Sequence, residues 1–423
     1  MEIIRAKDFK PEKAHEIPPE IIDRVREILN DVKARGDEAL IEFTEKFDHV
    51  RLDKISINPA DIEVEIPDND RKVIEGVMEN ITNVARAQKA SLTNFVMEVV
   101  PGVRVRQRIR PIERVGIYVP GGRYPLISTL MMCGVPASVA GVNEIYVATP
   151  PSHDGGVNPY ILYVARLLGV KSIFLVGGAQ AIAALAFGTE SVPRVDKVVG
   201  PGNIYTAVAK KEVSGQVGID FIAGPTEVLI IADEMADPEI LAHDLLAQAE
   251  HDVYARPMLI SNSREVLEKT IKTVEKIIKE TGNEVARESI EKNGAFILAE
   301  SIEEAIEIAK EVAPEHLELQ VKFPDRYVEM LDNFGTLFVG ELSAEALGDY
   351  SAGVNHVLPT NGSARFTGGL HVKDFLKIQS ILEVHPEGFE KIAPLAVRLA
   401  ELESLTFHAQ SVKVREKKLK ESR

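Results

Sequence analysis

The feature that most constrains the fold is a series of short β-branched runs, each closed by glycine or proline: VGIYVPGG, EIYVATPP, KSIFLVGG, DKVVGPG and EVLIIAD, all beyond Arg114. Runs that are apolar throughout, rather than alternating, belong to strands buried on both faces. Helix candidates at 158–168, 179–187 and 203–213 separate them, and strand–helix alternation of this kind builds a parallel sheet covered on both sides. The same texture resumes after Asp233, with a helix over 238–251, the strand RPMLIS, a helix over 265–280, the strand AFIL and a helix over 302–312. A chain of 423 residues exceeds the roughly 250–300 that one core accommodates. The expectation is therefore an α/β protein with two doubly wound, Rossmann-like domains. Helical periodicity over 17–47 and 69–90 makes the opening third mostly helical, and the final stretch is helical around 393–405 before a basic run, REKKLKESR, that reads as a solvated tail.

Charge narrows the partners. A formal net charge of −16 repels nucleic-acid backbones and anionic membranes, which leaves small-molecule chemistry. No apolar run approaches the ~20 residues needed to cross a bilayer, and the opening MEIIRAKDFKPEKAHEIPPE lacks the basic-then-apolar order of a secretory signal, so a cytoplasmic location is expected. The single cysteine, Cys133, excludes an intramolecular disulfide and sits in STLMMCGVPASVAG as a buried small hydrophobe.

Several segments carry groups suited to chemistry. In IYVPGGRYPL, VGGAQAIAAL and VGPGNIY, glycine follows a strand and precedes a helix, so the backbone can approach a phosphate at a helix N-terminus. None fits G-x-G-x-x-G, and glycines that only make tight turns would look the same. In AQAEHD, Gln248 and His251 lie three positions apart on one helix face. They are either ligands or a polar helix end with a dipole-compensating histidine, while His243 lies elsewhere on the helix and reads as surface. APEHLEL sets Glu315 beside His316, either a solvent-exposed turn pair or a carboxylate and an imidazole able to divide two proton transfers. GDYSAGVNHVLPT carries Asp349 and His356 in a glycine-containing loop, and LESLTFHAQSVKVR carries Glu403 and His408.

In order, VGIYVPGG, GGAQAI, VGPGN, AGPTEVLIIAD, LLAQAEHD, APEHLE, GDYSAGVNHVLPT and LTFHAQSVKVR resemble the motif series of the histidinol dehydrogenase family over about Arg114 to Arg415. The resemblance implies zinc held by Gln248, His251, Asp349 and His408, and NAD contacts from Tyr118, Gln180 and Asn203. It implies substrate contacts from Thr226, Gln248, His251, His316, Asp349, His356, Glu403 and His408, with Glu315 and His316 as the catalytic pair. The implied reaction is the four-electron oxidation of L-histidinol to L-histidine through histidinaldehyde, using two NAD, at the end of histidine biosynthesis. His316 acts as base in both oxidations and Glu315 activates water between them, while zinc orients the substrate.

The implied organisation is an N-terminal segment 1–12, a catalytic zinc domain of 13–117 with 228–369, an inserted NAD domain 118–227, and an extension 370–423 exchanged within a homodimer so that Glu403 and His408 complete the partner's site. Two departures bear on the substrate: Thr226 stands where the family commonly has serine, and RFTGGLHVKDFLK resembles relatives that oxidise other small alcohols such as sulfonated propanediols. A paralogous zinc and NAD dehydrogenase for another small primary alcohol is thus one rival. A non-catalytic nucleotide- or metal-binding protein on the same scaffold is another, and the intact Glu315–His316 pair argues against it.

Overall fold

The computed structural model describes residues 1–11, 17–121 and 126–422. They form two compact units, one of 1–89 with 112–375 and one of 90–111 with 376–423. The larger unit holds two six-stranded sheets, which is the doubly wound α/β architecture expected from the apolar runs.

The first sheet runs in the order Ile3–Arg5, Ala295–Leu298, Arg256–Ser261, Glu227–Ala232, His316–Gln320, Thr336–Val339, with every pairing parallel. Alternation along a strand sends neighbouring side chains to opposite faces. Thus Leu229 and Ile231 enter a core with helix Ile302–Val312, whereas Val228, Ile230 and Ala232 enter a core with helices Pro238–Ala249 and Arg264–Thr281. Burial on both faces is why these strands read as continuous apolar runs.

The second sheet runs Ser56–Ile57, Ser172–Phe174, Glu144–Ala148, Arg114–Tyr118, Lys197–Val199, Gly218–Ile219, parallel except for its first strand. Helices Gly178–Phe187 and Ile204–Val213 cover one face, together with Pro19–Arg35 and Asp37–Asp48. The helix expected over 17–47 is therefore two, broken at Gly36, whose φ of +56° favours glycine and whose added Cβ would strike the Glu190 carboxylate. These early helices pack with the 118–227 block, and the boundary expected at 117 falls inside strand Arg114–Tyr118.

The smaller unit is an antiparallel sheet of Phe95–Val100, Val103–Pro111 and Leu376–Val384, with helices Pro386–Leu402 and Thr406–Glu421. Residues 90–111 thus join the C-terminal segment rather than a helical opening third, and the basic run expected as a tail is helical.

Topology already relates the two large sheets. The chain leaves the second sheet at the carboxyl end of Gly218–Ile219 and enters the first at the amino end of Glu227–Ala232. Residues 220–226 bridge them, and seven extended residues reach at most about 25 Å. The carboxyl edge of one sheet is therefore held close to the amino edge of the other.

Candidate active site

Strands Glu227–Ala232 and His316–Gln320 are neighbours, with Val228 opposite His316, so Thr226, Glu227, Glu315 and His316 converge where both strands begin. The Glu315 carboxylate is buried, and its Oε2 accepts the Thr226 hydroxyl at 2.5 Å and the Glu227 amide at 3.0 Å. Having given its proton to Glu315, Thr226 Oγ1 accepts from Gln248 Nε2 at 3.0 Å. That bond fixes which way the Gln248 amide faces, and its buried Oε1 is left without a hydrogen-bond partner among the described residues.

His316 is also buried, with Nδ1 3.2 Å from the Glu227 carbonyl oxygen and 3.3 Å from Gln248 Nε2. A carbonyl only accepts, so the shorter contact places a proton on Nδ1. Nε2 is buried with no hydrogen-bond partner among the described residues, and Asp349 Oδ1 lies 3.6 Å from it. Asp349 sits in the short helix Glu345–Tyr350, and His356 places its Nδ1 3.0 Å from the Asp349 backbone oxygen. His251 follows the end of helix Pro238–Ala249, one turn beyond Gln248.

The electrostatics follow from this crowding. For His316, burial disfavours the charged ring, but the carboxyl groups of Glu345, Glu315 and Asp349 outweigh it and hold the imidazole well above its usual range. Burial pushes Glu315 up, opposed by His316 and the Thr226 hydroxyl. Burial likewise raises Glu345 well above an ordinary carboxyl, whereas the nearby His316 ring keeps Asp349 low against its own desolvation. Burial lowers His356, and it lowers His251 although that residue reaches the surface.

At the other sheet the carboxyl ends are lined by backbone rather than charge. Tyr118 ends its strand buried, its hydroxyl accepting the Gly178 amide at 3.1 Å, and burial pushes the phenol up to about 12. Gln180 is buried one turn into the following helix. Asn203 caps helix Ile204–Val213 by accepting from the amides of Tyr205 at 3.0 Å and Thr206 at 3.2 Å. Gly122 to Pro125 of the IYVPGGRYPL loop lie outside the described residues.

The larger unit thus brings Thr226, Gln248, Glu315, His316, Asp349 and His356 into one network. Glu403 and His408 belong to the smaller unit, where both are exposed. Sequence reasoning missed three buried carboxyls. Glu345 Oε1 lies 3.7 Å from His316 Nδ1, and together with His316 and Asp349 it forms a group whose ligand atoms lie within 4.8 Å of one another. That group shares only Asp349 with the expected zinc ligands. Its signal was the four-residue spacing to Asp349, one face of a helix. Glu227 accepts the Asn361 amide at 2.9 Å and faces Arg256, and burial raises it to about 7. Glu318 shares the Gln320 amide with Asp244, Nε2 donating at 2.7 Å and 2.8 Å respectively, and burial raises it to about 8. A charged residue inside an apolar strand was the signal for these two.

Cys133 is buried within helix Ile127–Ala140, and burial pushes its thiol far above the range in which it ionises. Among the described residues no helix is long and apolar enough to cross a membrane.

The histidinol dehydrogenase family profile matches residues 12–416. A histidinol dehydrogenase of Clostridium acetobutylicum is 45% identical over 398 residues, covering 94% of this chain and 92% of that protein, and one of Lactiplantibacillus plantarum is 44% identical over 395 residues, covering 92% of each. The crystal structure of histidinol dehydrogenase from Elizabethkingia anophelis superimposes with a TM-score of 0.90 at 36% identity, covering 97% of this chain and 95% of that one.

Proposed function

The chain belongs to the histidinol dehydrogenase family, and on that premise we propose that it oxidises L-histidinol to L-histidine with two NAD at a zinc-containing site. The single observation that carries the reading is the buried chain Glu315–Thr226–Gln248 with His316 packed beside it. It supplies a carboxylate and an imidazole side by side and leaves the Gln248 oxygen bare.

The donor set suits zinc. Gln248 Oε1 is a buried acceptor with no other partner among the described residues, Asp349 is held ionised, and His251 is kept neutral, which is the form that ligates. Gln248, His251 and Asp349 would hold the ion, and His408 is proposed as the fourth ligand, from the partner in a homodimer. Bound zinc supplies a positive anchor for the nitrogen atoms of the substrate, and bound NAD accepts hydride. The rest falls to the chain. With Asp349 drawn to the zinc and positive charge set beside it, the His316 ring returns to its neutral form; with Nδ1–H facing the Glu227 carbonyl, Nε2 is then free to receive the substrate's hydroxyl proton. Glu315, held beside Thr226, then takes a proton from the water that adds to the aldehyde, and His316 serves again for the second oxidation. With the thiol of Cys133 sealed away, water is the nucleophile that the site can activate.

Tyr118, Gln180 and Asn203 are proposed to face NAD, with Asp349, His356, Glu403 and His408 joining Thr226, Gln248, His251 and His316 around the substrate. A cytoplasmic biosynthetic enzyme follows from the same reading. The test is metal analysis of the purified protein with NADH counted per substrate consumed. Zinc and two NADH per histidinol are expected. Turnover of dihydroxypropane sulfonate but not of histidinol would overturn the substrate.

A further inference from the structure

Outside this network the larger unit carries, among the described residues, a fully buried ion pair whose two members both grip Gly200. The side chains of Lys210 and Asp220 are 3% and 0% exposed and pair directly. Asp220 Oδ2 accepts the Gly200 amide at 2.8 Å, while Lys210 Nζ donates to the Gly200 carbonyl at 3.0 Å. Gly200 has a φ of +117°, and a Cβ there would lie 2.2 Å from the Tyr118 carbonyl oxygen. The pair thus clamps the loop VGPGN against the end of the Tyr118 strand, at the conformation only glycine adopts there.

Its other contacts point away from that loop. Asp220 Oδ1 accepts the Phe221 amide at 2.7 Å, and the Lys210 ammonium lies 5.8 Å from the Phe221 ring centre. Phe221 is the second residue of the bridge, which Asp220 opens and which ends at Thr226, whose hydroxyl donates to Glu315. Partway along, the Gly224 amide donates to Thr360 Oγ1 at 2.5 Å. One pair therefore holds both the loop at the carboxyl edge of one sheet and the start of the segment that delivers Thr226 to the amino edge of the other. Stability alone is a weak reason for such a pair, because apolar groups of similar volume commonly replace a buried ion pair without loss.

We propose that Lys210 and Asp220 are a positioning pair that sets the Gly200 loop, and with it the bound NAD, in register with Thr226, Glu315 and His316. This rests on the NAD reading above. The experiment compares the full-length zinc-loaded enzyme with Lys210→Met/Asp220→Leu, which fills the site with apolar groups, and Lys210→Met/Asp220→Asn, which keeps an acceptor for the Gly200 amide. The first variant is expected to melt near the wild type, to keep its zinc and its KM for histidinol within twofold, and to raise KM for NAD at least tenfold. The second is expected to recover part of that loss. Unchanged KM for NAD in folded variants overturns the proposal. So does failure of both to fold, since the pair then serves the fold and not the cofactor. A wild-type enzyme that does not bind NAD in calorimetry instead removes the reading on which the proposal stands.

Discussion

The two six-stranded sheets of the larger unit share a construction but use opposite edges. In the sheet built around Arg114–Tyr118, the lining at the carboxyl ends is Gly178, Gly200 and a capped helix start, with the buried Lys210–Asp220 pair behind Gly200. In the sheet built around Glu227–Ala232, the working groups stand at the amino ends, and the adjoining space holds Glu227, Glu315, Glu318 and Glu345, all buried. At the first edge the glycine amides are held from within, Gly178 by the Tyr118 hydroxyl and Gly200 by Asp220, and what lines it is backbone. The second concentrates titratable groups whose pKa values are driven apart by burial and by one another. An open α/β sheet binds ligands at its carboxyl edge as a rule. The proton chemistry proposed here falls at the other edge, which residues 220–226 bring close to the first.

This contrast can be broken most sharply at the amino edge. Glu315→Gln and His316→Asn are each expected to lower turnover by about 10²–10⁴-fold with zinc content retained, the range for loss of a general acid or base. Turnover within tenfold of wild type in single-cycle kinetics would remove proton chemistry from this edge. Thr226→Val deletes the donor to Glu315 and the acceptor for Gln248 Nε2. A fall of roughly 10–100-fold in kcat/KM is expected, and a comparable loss of metal affinity in competition with a chelator, since Gln248 loses the bond that orients it. At the carboxyl edge, Gly178→Ala meets a φ of +62° and a Cβ 2.8 Å from Gln180 Oε1. The left-handed conformation costs a non-glycine residue about 1–2 kcal/mol, so KM for NAD is expected to rise about tenfold while KM for histidinol holds.

The smallest effect on turnover, and a clear one on stability, is expected from Glu318→Gln. Burial raises the Glu318 carboxyl from an ordinary 4.5 to about 8, so between those values the folded state holds a proton that the unfolded state has released. The wild type therefore loses stability as pH rises through that window. A glutamine does not titrate. Melting followed from pH 5 to pH 9 should show the variant gaining on the wild type as pH rises, and parallel curves would place the buried proton elsewhere.

Much of the fold was legible because strands buried on both faces cannot carry polar alternation. The runs at 227–232, 256–261 and 295–298 could hardly be anything else. The antiparallel sheet was not legible, because Val103–Pro111 alternates with arginine and pairs with Leu376–Val384, a partner more than 260 residues away. The C-terminal helix reads as a tail because it is polar on nearly every side, with only Ala409 buried. In the site, Glu315 beside His316 was visible as an adjacent acid and base, but nothing local distinguishes it from an exposed turn. Glu227 and Glu345 escaped because a carboxyl that burial has raised looks, in one letter, the same as one facing solvent.

The sealed cysteine has a use of its own. Helix Ile127–Ala140 encloses the chain's single thiol so fully that an alkylating reagent meets it only after the helix leaves its core. Labelling at Cys133 under native conditions therefore acts as a clock for opening of this part of the protein, one label per chain, with no second thiol to confuse the count.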